Sequence, residues 1–502
     1  MRWQIGLALA LTLSWVASLS AQRSAGSRPA GPFAALDRYV PAALAAWDVP
    51  GAAIAIVRND SIVYIKGFGV RELGLPAPVD SATLFAIGSN TKAFTATAAA
   101  MLVTDGRMAW DTPLTAYLPG FAVADPYATR QITLRDALAH RTGLARYESV
   151  WYGTGYSRED LLARLRYAEM EGGLRSGFGY NNLAYLAAGA AIGAAAGSSW
   201  DAVIAERILT PLGMASTSPV GAPLEQPGNV AAPHQRIGPT VRKVPVRNID
   251  NVAPAGAIVS NVLDMAQWLR FQLANGSYRG QRLVSEDALR ATRSAQAGMG
   301  GPVPGEPYQP LISAYGLGWV VSEYAGQSLV WHNGGIDGFM AEVRLLPGQN
   351  AGGALLTNSY GTNLMPAISY RIADLLLGRP ARDWSAEMLA AQRARPVRAP
   401  QEANMVTGAV PLLPLERYAG RYTDPLFGEV TVELRGDRLR LGYGPNFSGP
   451  LDHSLIHTFR VSWEGQTAVT LPGASVTFGV DAAARPIDVT ISGLTTFRRV
   501  RP

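Results

Sequence analysis

Apolar residues recur at helical spacing from Phe33 to Trp47. The pattern then switches to two short apolar runs, Gly51–Val57 (GAAIAIV) and Ser61–Gly67 (SIVYIKG). Runs of this length rich in β-branched residues predict strands, and Arg58-Asn59-Asp60 between them predicts a hairpin turn. The Ala-rich stretch Thr91–Val103 predicts a helix stopped by Asp105-Gly106. From about 110 to 310, helical stretches alternate with Gly/Pro-rich loops; Ala184–Ala195 and Ser199–Leu209 are the clearest helices. Leu317–Glu323, Ser328–Asn333, Met340–Pro347 and Gly352–Asn358 are short apolar runs separated by turn residues, followed by a helical pattern over Met365–Leu377. Strands at the start, a helical middle and returning strands predict an α+β fold: an antiparallel sheet flanked by helices, with a helical subdomain.

The pattern changes after Arg379. Ala390–Pro414 is rich in Ala, Arg and Pro and reads as a linker. Beyond it, TVELRGDRLRLGY alternates apolar and polar residues about a Gly-Asp turn, and FRVSW, TAVTL, SVTFGV and IDVTISG continue in short strands. A separate all-β unit follows, most simply a small barrel. The predicted division is 33–380 for the α+β domain, 381–414 for the linker and 415–502 for the barrel. At the N-terminus, Arg2, the apolar stretch Ile5–Val16 and the small residues of Ala17–Ala21 have the layout of an export signal over 1–21. The apolar stretch is too short for a comfortable membrane span, and no later segment reads as one. The expected location is periplasmic or extracellular, in a bacterium; an uncleaved N-terminal anchor is the alternative.

Composition narrows the function classes. At 502 residues, 48% hydrophobic and 16% charged, the chain is long and apolar enough for two or three packed domains. The net charge of +6 is small for this length, and no Lys/Arg run is interleaved with aromatics, so nucleic acid is not an expected partner. The absence of cysteine removes disulfides, thiolate metal sites and Cys nucleophiles together. Neither a metal nor another cofactor is expected.

The sharpest chemical feature is Ser89-Asn90-Thr91-Lys92 at the start of the Ala-rich helix. Positions three apart share a helix face, so a Lys amine would sit beside the Ser hydroxyl. A serine hydroxyl needs a base to become a nucleophile. A solvated Lys, with a pKa of ~10.4, cannot serve, whereas a desolvated one can. Taken alone, the tetrapeptide is better read as a helix-capping Ser with an exposed Lys. Two further motifs follow in order: Tyr180-Asn181-Asn182 before an apolar helix, and His332-Asn333-Gly334-Gly335 at the end of a strand.

This ordered set, S-x-x-K, Y-x-N and [KH]-x-G, resembles the active site of serine β-lactamases and penicillin-binding proteins, and its Y-x-N and H-x-G forms are similar to class C β-lactamases and their esterase and D-aminopeptidase relatives. LRDALAHRTGL (134–144), LTPLGM (209–214) and AGAIVSNVLDMAQWL (255–269) resemble further family segments, so the likeness runs from about 35 to 378. The resemblance implies Ser89 as nucleophile and Lys92 as holder or acceptor of its proton. It implies Tyr180, with a lowered phenol pKa, as proton relay to the leaving group. It gives Asn182 a hydrogen bond to substrate or Lys92, and places the oxyanion hole at the N–H groups of Ser89 and Gly335, beside Gly334. Whether Lys92 or Tyr180 is the acylation base stays open. β-Lactamases usually carry Lys where His332 stands; a partly charged imidazole there favours small esters, amides or peptides over β-lactams. True β-lactamase activity and a non-catalytic cell-envelope binding protein remain alternatives.

Other candidates carry less. His140 is structural in the family pattern, and His453 and His457 fall in the all-β region, where a spacing of four does not align a zinc pair. No G-x-S-x-G elbow, P-loop or dinucleotide fingerprint occurs. ERYAGRYTDPLFGEVTVEL and HTFRVSW are similar to a lipocalin-like domain appended to such hydrolases. That resemblance leaves three roles for it: capping the site, mediating a homo-oligomer, or passive stabilisation.

Overall fold

The computed structural model describes residues 31–300, 308, 310, 312–394, 410–464 and 473–500. The expected signal over 1–21 and the TAVTL strand lie outside the described residues. The first helix, α1 (Leu36–Trp47), leads into the hairpin β1 (Gly51–Arg58) and β2 (Ser61–Gly69). Asn59 and Asp60 at its tip both take positive φ (50° and 60°), the tight-turn conformation that short polar residues tolerate.

Among the described residues an eight-stranded antiparallel sheet forms the centre of the α+β domain. Its later strands are β3 (Ala297–Gly298), β4 (Ser313–Tyr315), β5 (Val320–Tyr324), β6 (Gln327–Ile336), β7 (Phe339–Leu346) and β8 (Ala351–Thr357). The order across the sheet is β2-β1-β8-β7-β6-β5-β4-β3. Both faces of β1 are buried, which explains why it reads as an unbroken apolar run. Ala52, Ile54 and Ile56 face a core built on α1 and the helices at Leu364–Leu376 and Trp384–Ala394. Ala53, Ala55 and Val57 face the opposite core, with α2 (Thr91–Thr104), α3 (Asn182–Ala196) and α4 (Val262–Leu273). Every residue of α2 from Thr91 to Leu102 is buried, so the helix has no solvent face and its alanines allow close approach of its neighbours.

The α+β sheet with helices and the all-β barrel are thus found as the sequence predicts. Three details differ. The Leu317–Glu323 run becomes strand only at Val320, because Gly318 turns the chain at φ 78°, so close to α2 that a Cβ there would lie 2.5 Å from the Lys92 carbonyl oxygen. Ser199–Leu209 is α-helical only over Trp200–Ile204 and widens to a π-helix over Ala205–Leu209. The stretch assigned to the linker begins as the helix Trp384–Ala394, docked by Trp384 donating to Asp374 (2.7 Å) and by Trp47 donating to Ser385 (3.0 Å). Composition missed this helix because only Trp384, Ser385 and Met388 are buried.

The C-terminal strands, β9 (Gly420–Asp424), β10 (Gly428–Arg435), β11 (Arg438–Tyr443), β12 (Phe447–Leu455), β13 (Thr458–Val461), β14 (Ala474–Val480), β15 (Pro486–Ile491) and β16 (Thr496–Arg499), close into an antiparallel barrel through the β9–β16 pairing. Tyr422, Val430, Leu441, Phe459, Val476 and Phe497 fill it. The barrel packs on the α+β domain beside residues 147–164, and its core is continuous with that of the α2 side of the sheet. No helix among the described residues is long and apolar enough to cross a membrane.

Candidate active site

The chain enters α2 through a single 3-10 turn, Gly88–Asn90, with Gly88 at φ 51°. This turn presents Ser89 at the cleft surface, while Lys92, one turn later, is fully buried. Lys92 Nζ lies 3.0 Å from Ser89 Oγ, 2.7 Å from Asn182 Oδ1 and 2.8 Å from the carbonyl oxygen of Ala255. The rings of Tyr180 and Tyr185 cover it at 4.7 and 5.2 Å. Burial drives the Lys92 pKa well below the usual ammonium range; Glu148 opposes that shift and Arg146 adds to it. A neutral amine has two N–H groups and one lone pair. The two carbonyl oxygens take the N–H groups, and the lone pair is left for the Ser89 hydroxyl.

Tyr180 and Asn182 come from the start of α3, where Asn181 accepts from the Ala184 N–H (2.7 Å) and caps the helix. Tyr180 Oη donates to Ser89 Oγ at 2.8 Å. His140 sets this entry: its Nδ1 accepts the Asn181 N–H at 3.0 Å, and its ring packs 4.2 Å from that of Tyr180. The structural part expected of His140 fits this geometry. The expected lowering of the Tyr180 phenol does not. Burial pushes its pKa well above the ordinary phenol range, and the Ser89 hydrogen bond only partly offsets this. Lys92, whose own charged form burial disfavours, offers a phenolate little stabilisation.

His332 also differs from expectation. It lies on β6, is 3% exposed, and hydrogen-bonds to none of Ser89, Lys92 and Tyr180. Its Nδ1 donates to the Asn333 carbonyl, so its Nε2 accepts from the Tyr315 hydroxyl at 2.8 Å. Burial pushes its pKa down to about 3. The imidazole is therefore neutral, not partly charged, and both ring nitrogens are committed.

Beyond Trp331 the strand β5 no longer pairs with β6, and that open edge faces the nucleophile turn. The approach is close: a Cβ on Gly334 would lie 2.0 Å from the Ile87 oxygen and 2.6 Å from the Ser89 nitrogen. Only glycine fits there, which brings the backbone of Gly334 and Gly335 alongside that of Gly88 and Ser89. A cleft of about 850 Å³ opens over Ser89, with walls of Trp151, Tyr152, Phe178, Trp331 and Tyr360. Its charged residues are Arg146, Glu148 and Asp337, and each is paired: Arg146 with Glu148 (3.2 Å), Asp337 with Arg247 (2.7 Å).

Ser89, Lys92, Tyr180 and Asn182 are thus joined by hydrogen bonds, and His332, Gly334 and Gly335 line the same cleft. His453 and His457 sit in the barrel, with His457 held by Tyr418 (2.8 Å). Sequence reasoning missed Glu148, which accepts from Asn182 Nδ2 at 3.0 Å, and Tyr315, which fixes His332. Neither belongs to a motif. It also missed the Ala255 carbonyl, although the surrounding AGAIVSN segment is among those that resemble the family.

The beta-lactamase family profile matches residues 36–377, and a domain of unknown function (DUF3471) matches residues 405–498. The unguisins hydrolase ungD' of Aspergillus campestris is 32% identical over 413 residues, which span 77% of this chain and 75% of that protein. Penicillin-binding protein 4 of Amycolatopsis lactamdurans is 30% identical over 320 residues, 62% of this chain and 81% of that protein. Among solved structures, the octameric penicillin-binding protein homologue from Pyrococcus abyssi superposes with a TM-score of 0.61 at 22% identity, covering 93% of this chain and 99% of that one. A D-stereospecific amidohydrolase from Streptomyces sp. superposes with a TM-score of 0.53 at 23% identity, covering 65% and 94%. These two likenesses are of fold.

Proposed function

The chain belongs to the beta-lactamase family, and from that premise we propose that it is an exported serine hydrolase acting through an acyl-enzyme on small ester, amide or peptide substrates. One observation carries the reading: the buried Lys92 Nζ lies 2.7 Å from Asn182 Oδ1, 2.8 Å from the Ala255 carbonyl oxygen and 3.0 Å from Ser89 Oγ, where burial disfavours its charged form, so that as a neutral amine it keeps its lone pair for Ser89. Ser89 Oγ attacks the substrate carbonyl carbon while its proton passes to Lys92 Nζ. The oxyanion is met by the N–H groups of Ser89 and Gly335. On collapse the bond to the leaving group breaks. That group takes the phenol proton of Tyr180, and the proton on Lys92 restores the phenol. Water then attacks the acyl carbon, gives up a proton along the same route, and frees Ser89 with release of the acid. This assigns Lys92 as acylation base and Tyr180 as acid, in accord with a phenol that burial keeps protonated.

The neutral His332 and the paired charges of the cleft favour substrates without a carboxylate beside the scissile bond. The relative named as an unguisins hydrolase supports hydrolysis as the reaction class. Export rests on the Ile5–Val16 stretch. Self-association belongs to the same proposal, since a relative of this fold is described as octameric, and sedimentation velocity would show it as a species heavier than one chain.

A fluorophosphonate probe tests the core of the proposal. The parent should gain one adduct, mapped to the Ser89 peptide, and Ser89→Ala should gain none. Equal labelling of the variant, or a parent that neither labels nor turns over any ester or amide, removes the hydrolase reading. The second outcome would favour a binding protein.

A further inference from the structure

Residues 145–156 form one wall of the cleft, yet they contain little regular structure. One helical turn, Glu148–Trp151, follows Tyr147 at φ 50°. On its cleft side the segment presents Arg146, Glu148, Trp151 and Tyr152. On its other side it meets the barrel. Tyr443 Oη donates to the Ser149 carbonyl at 2.8 Å, and Asn446 Nδ2 donates to the Gly153 carbonyl at 2.8 Å. The Phe447 ring closes on Gly153 so tightly that a Cβ there would lie 2.8 Å from it. Tyr156 Oη reaches back to the Phe427 carbonyl at 3.2 Å. From the α+β domain, Asn251 and Asn181 hold the Trp151 and Ala145 carbonyls. Among the described residues, none from the barrel lines the cleft.

We propose that the barrel is a working part of the active site: through Tyr443 and Asn446 it holds the 145–156 segment so that Glu148 fixes the Asn182 amide and, through it, Lys92. Glu148, Tyr443 and Asn446 are then positioning residues. The link is a chain of directed hydrogen bonds. The Glu148 carboxylate accepts only, so the amide edge facing it must be Nδ2 (3.0 Å). That turns Oδ1 to Lys92 (2.7 Å), where it occupies one of the two N–H groups. If Glu148 withdrew, the amide would be free to turn its NH₂ toward Lys92 and compete for the lone pair that Ser89 needs. The groups facing Lys92 are Tyr180, Tyr185, His140, His332, Arg146 and Glu148. Of these, Glu148 supplies the negative charge that favours the ammonium form.

This inference rests on the acyl-enzyme reading above, and its test separates the two. Tyr443→Phe keeps the ring in the barrel and removes one hydroxyl; Asn446→Ala removes one amide. Each should lower kcat for a small acetyl ester about two- to tenfold, the effect of a single hydrogen bond. KM should stay within about twofold, since such an ester does not reach the aromatic walls. The acid limb of the kcat profile should move to lower pH, because losing Glu148 lets the Lys92 pKa fall further. Glu148→Gln should move the limb the same way, and Tyr443→Phe added to it should move it no further. An unmoved limb and unchanged kcat in folded Tyr443→Phe/Asn446→Ala would overturn the inference. So would additive losses in the Glu148→Gln background, or Glu148→Gln leaving the limb in place should the double variant fail to fold. Loss of Ser89 dependence in the fluorophosphonate assay would instead overturn the underlying hydrolase reading.

Discussion

Lys92 Nζ stands 3.0 Å from Ser89 Oγ while two carbonyl oxygens, those of Asn182 and Ala255, lie closer, at 2.7 and 2.8 Å. A lysine in this setting is valuable for its lone pair rather than its charge. Lys92→Arg keeps a cation but cannot accept a proton near neutral pH. It should lose about 10²- to 10⁴-fold in kcat/KM on an activated ester, the usual contribution of a general base, and Lys92→Ala should lose as much. A loss under about tenfold in either variant would take Lys92 out of the proton transfer.

The same burial sets a stability signature. Unfolded, Lys92 titrates near its ordinary value of 10.5; folded, its pKa lies well below this. Between those two values the unfolded chain binds a proton that the folded chain does not, so stability falls as pH drops from 10.5 toward the folded pKa. Lys92→Met removes this dependence. Its Tm relative to the parent should be highest in acid and fall steadily as pH rises toward about 10. A difference that does not change with pH would mean that the amine is charged when folded.

Ser89, Lys92, Tyr180, Asn182, His332 and the glycines were legible because each motif encodes a local backbone requirement: a helix turn, a cap, a strand with no side chain. The two-sided core was legible in β1 for a similar reason, because burial on both faces leaves an unbroken apolar run. Charge states were not. The neutral His332 depends on Tyr315, 17 residues away in sequence, and on burial. The unlowered Tyr180 phenol depends on its burial. Glu148 was invisible because its position is set by a loop path, held in part by Tyr443 from 294 residues beyond Ser149. The helix at Trp384–Ala394 was hidden in a linker-like composition because three anchor residues suffice to dock it.

Gly334 sets the spacing between the nucleophile turn and β6. Ala there would place its Cβ 2.0 Å from the Ile87 oxygen, and backbone atoms cannot swing aside as a flexible side chain would. The strand or the turn must shift, moving the Ser89 N–H relative to Gly335. Gly334→Ala should cost about 10²-fold in kcat, the effect of an ångström-scale misplacement. Gly298→Ala, in the same sheet with open space around it, should cost nothing. Comparable kcat for the two variants would show that the close approach has no catalytic consequence.

His332 makes the last prediction, because under the proposed function its charge bears on which substrates fit. With Nδ1 donating to Asn333, Nε2 accepting from Tyr315, and a pKa of about 3, the imidazole stays neutral across the range in which the protein would be assayed. The ¹H shift of its Cε1 proton should be flat from about pH 5 to 8, whereas an ordinary imidazole would show a midpoint near 6.5. Folding stability should decline as pH falls below 6.5, since only the unfolded chain takes up that proton. The preference for a neutral ester over its carboxylate-bearing counterpart should be the same at both ends of that range, and a chromogenic cephalosporin should be turned over slowly at each. Acid-enhanced cephalosporin turnover, or a titration midpoint near 6.5, would mean that the ring faces the cleft as a cation, and the inferred substrate class would have to change.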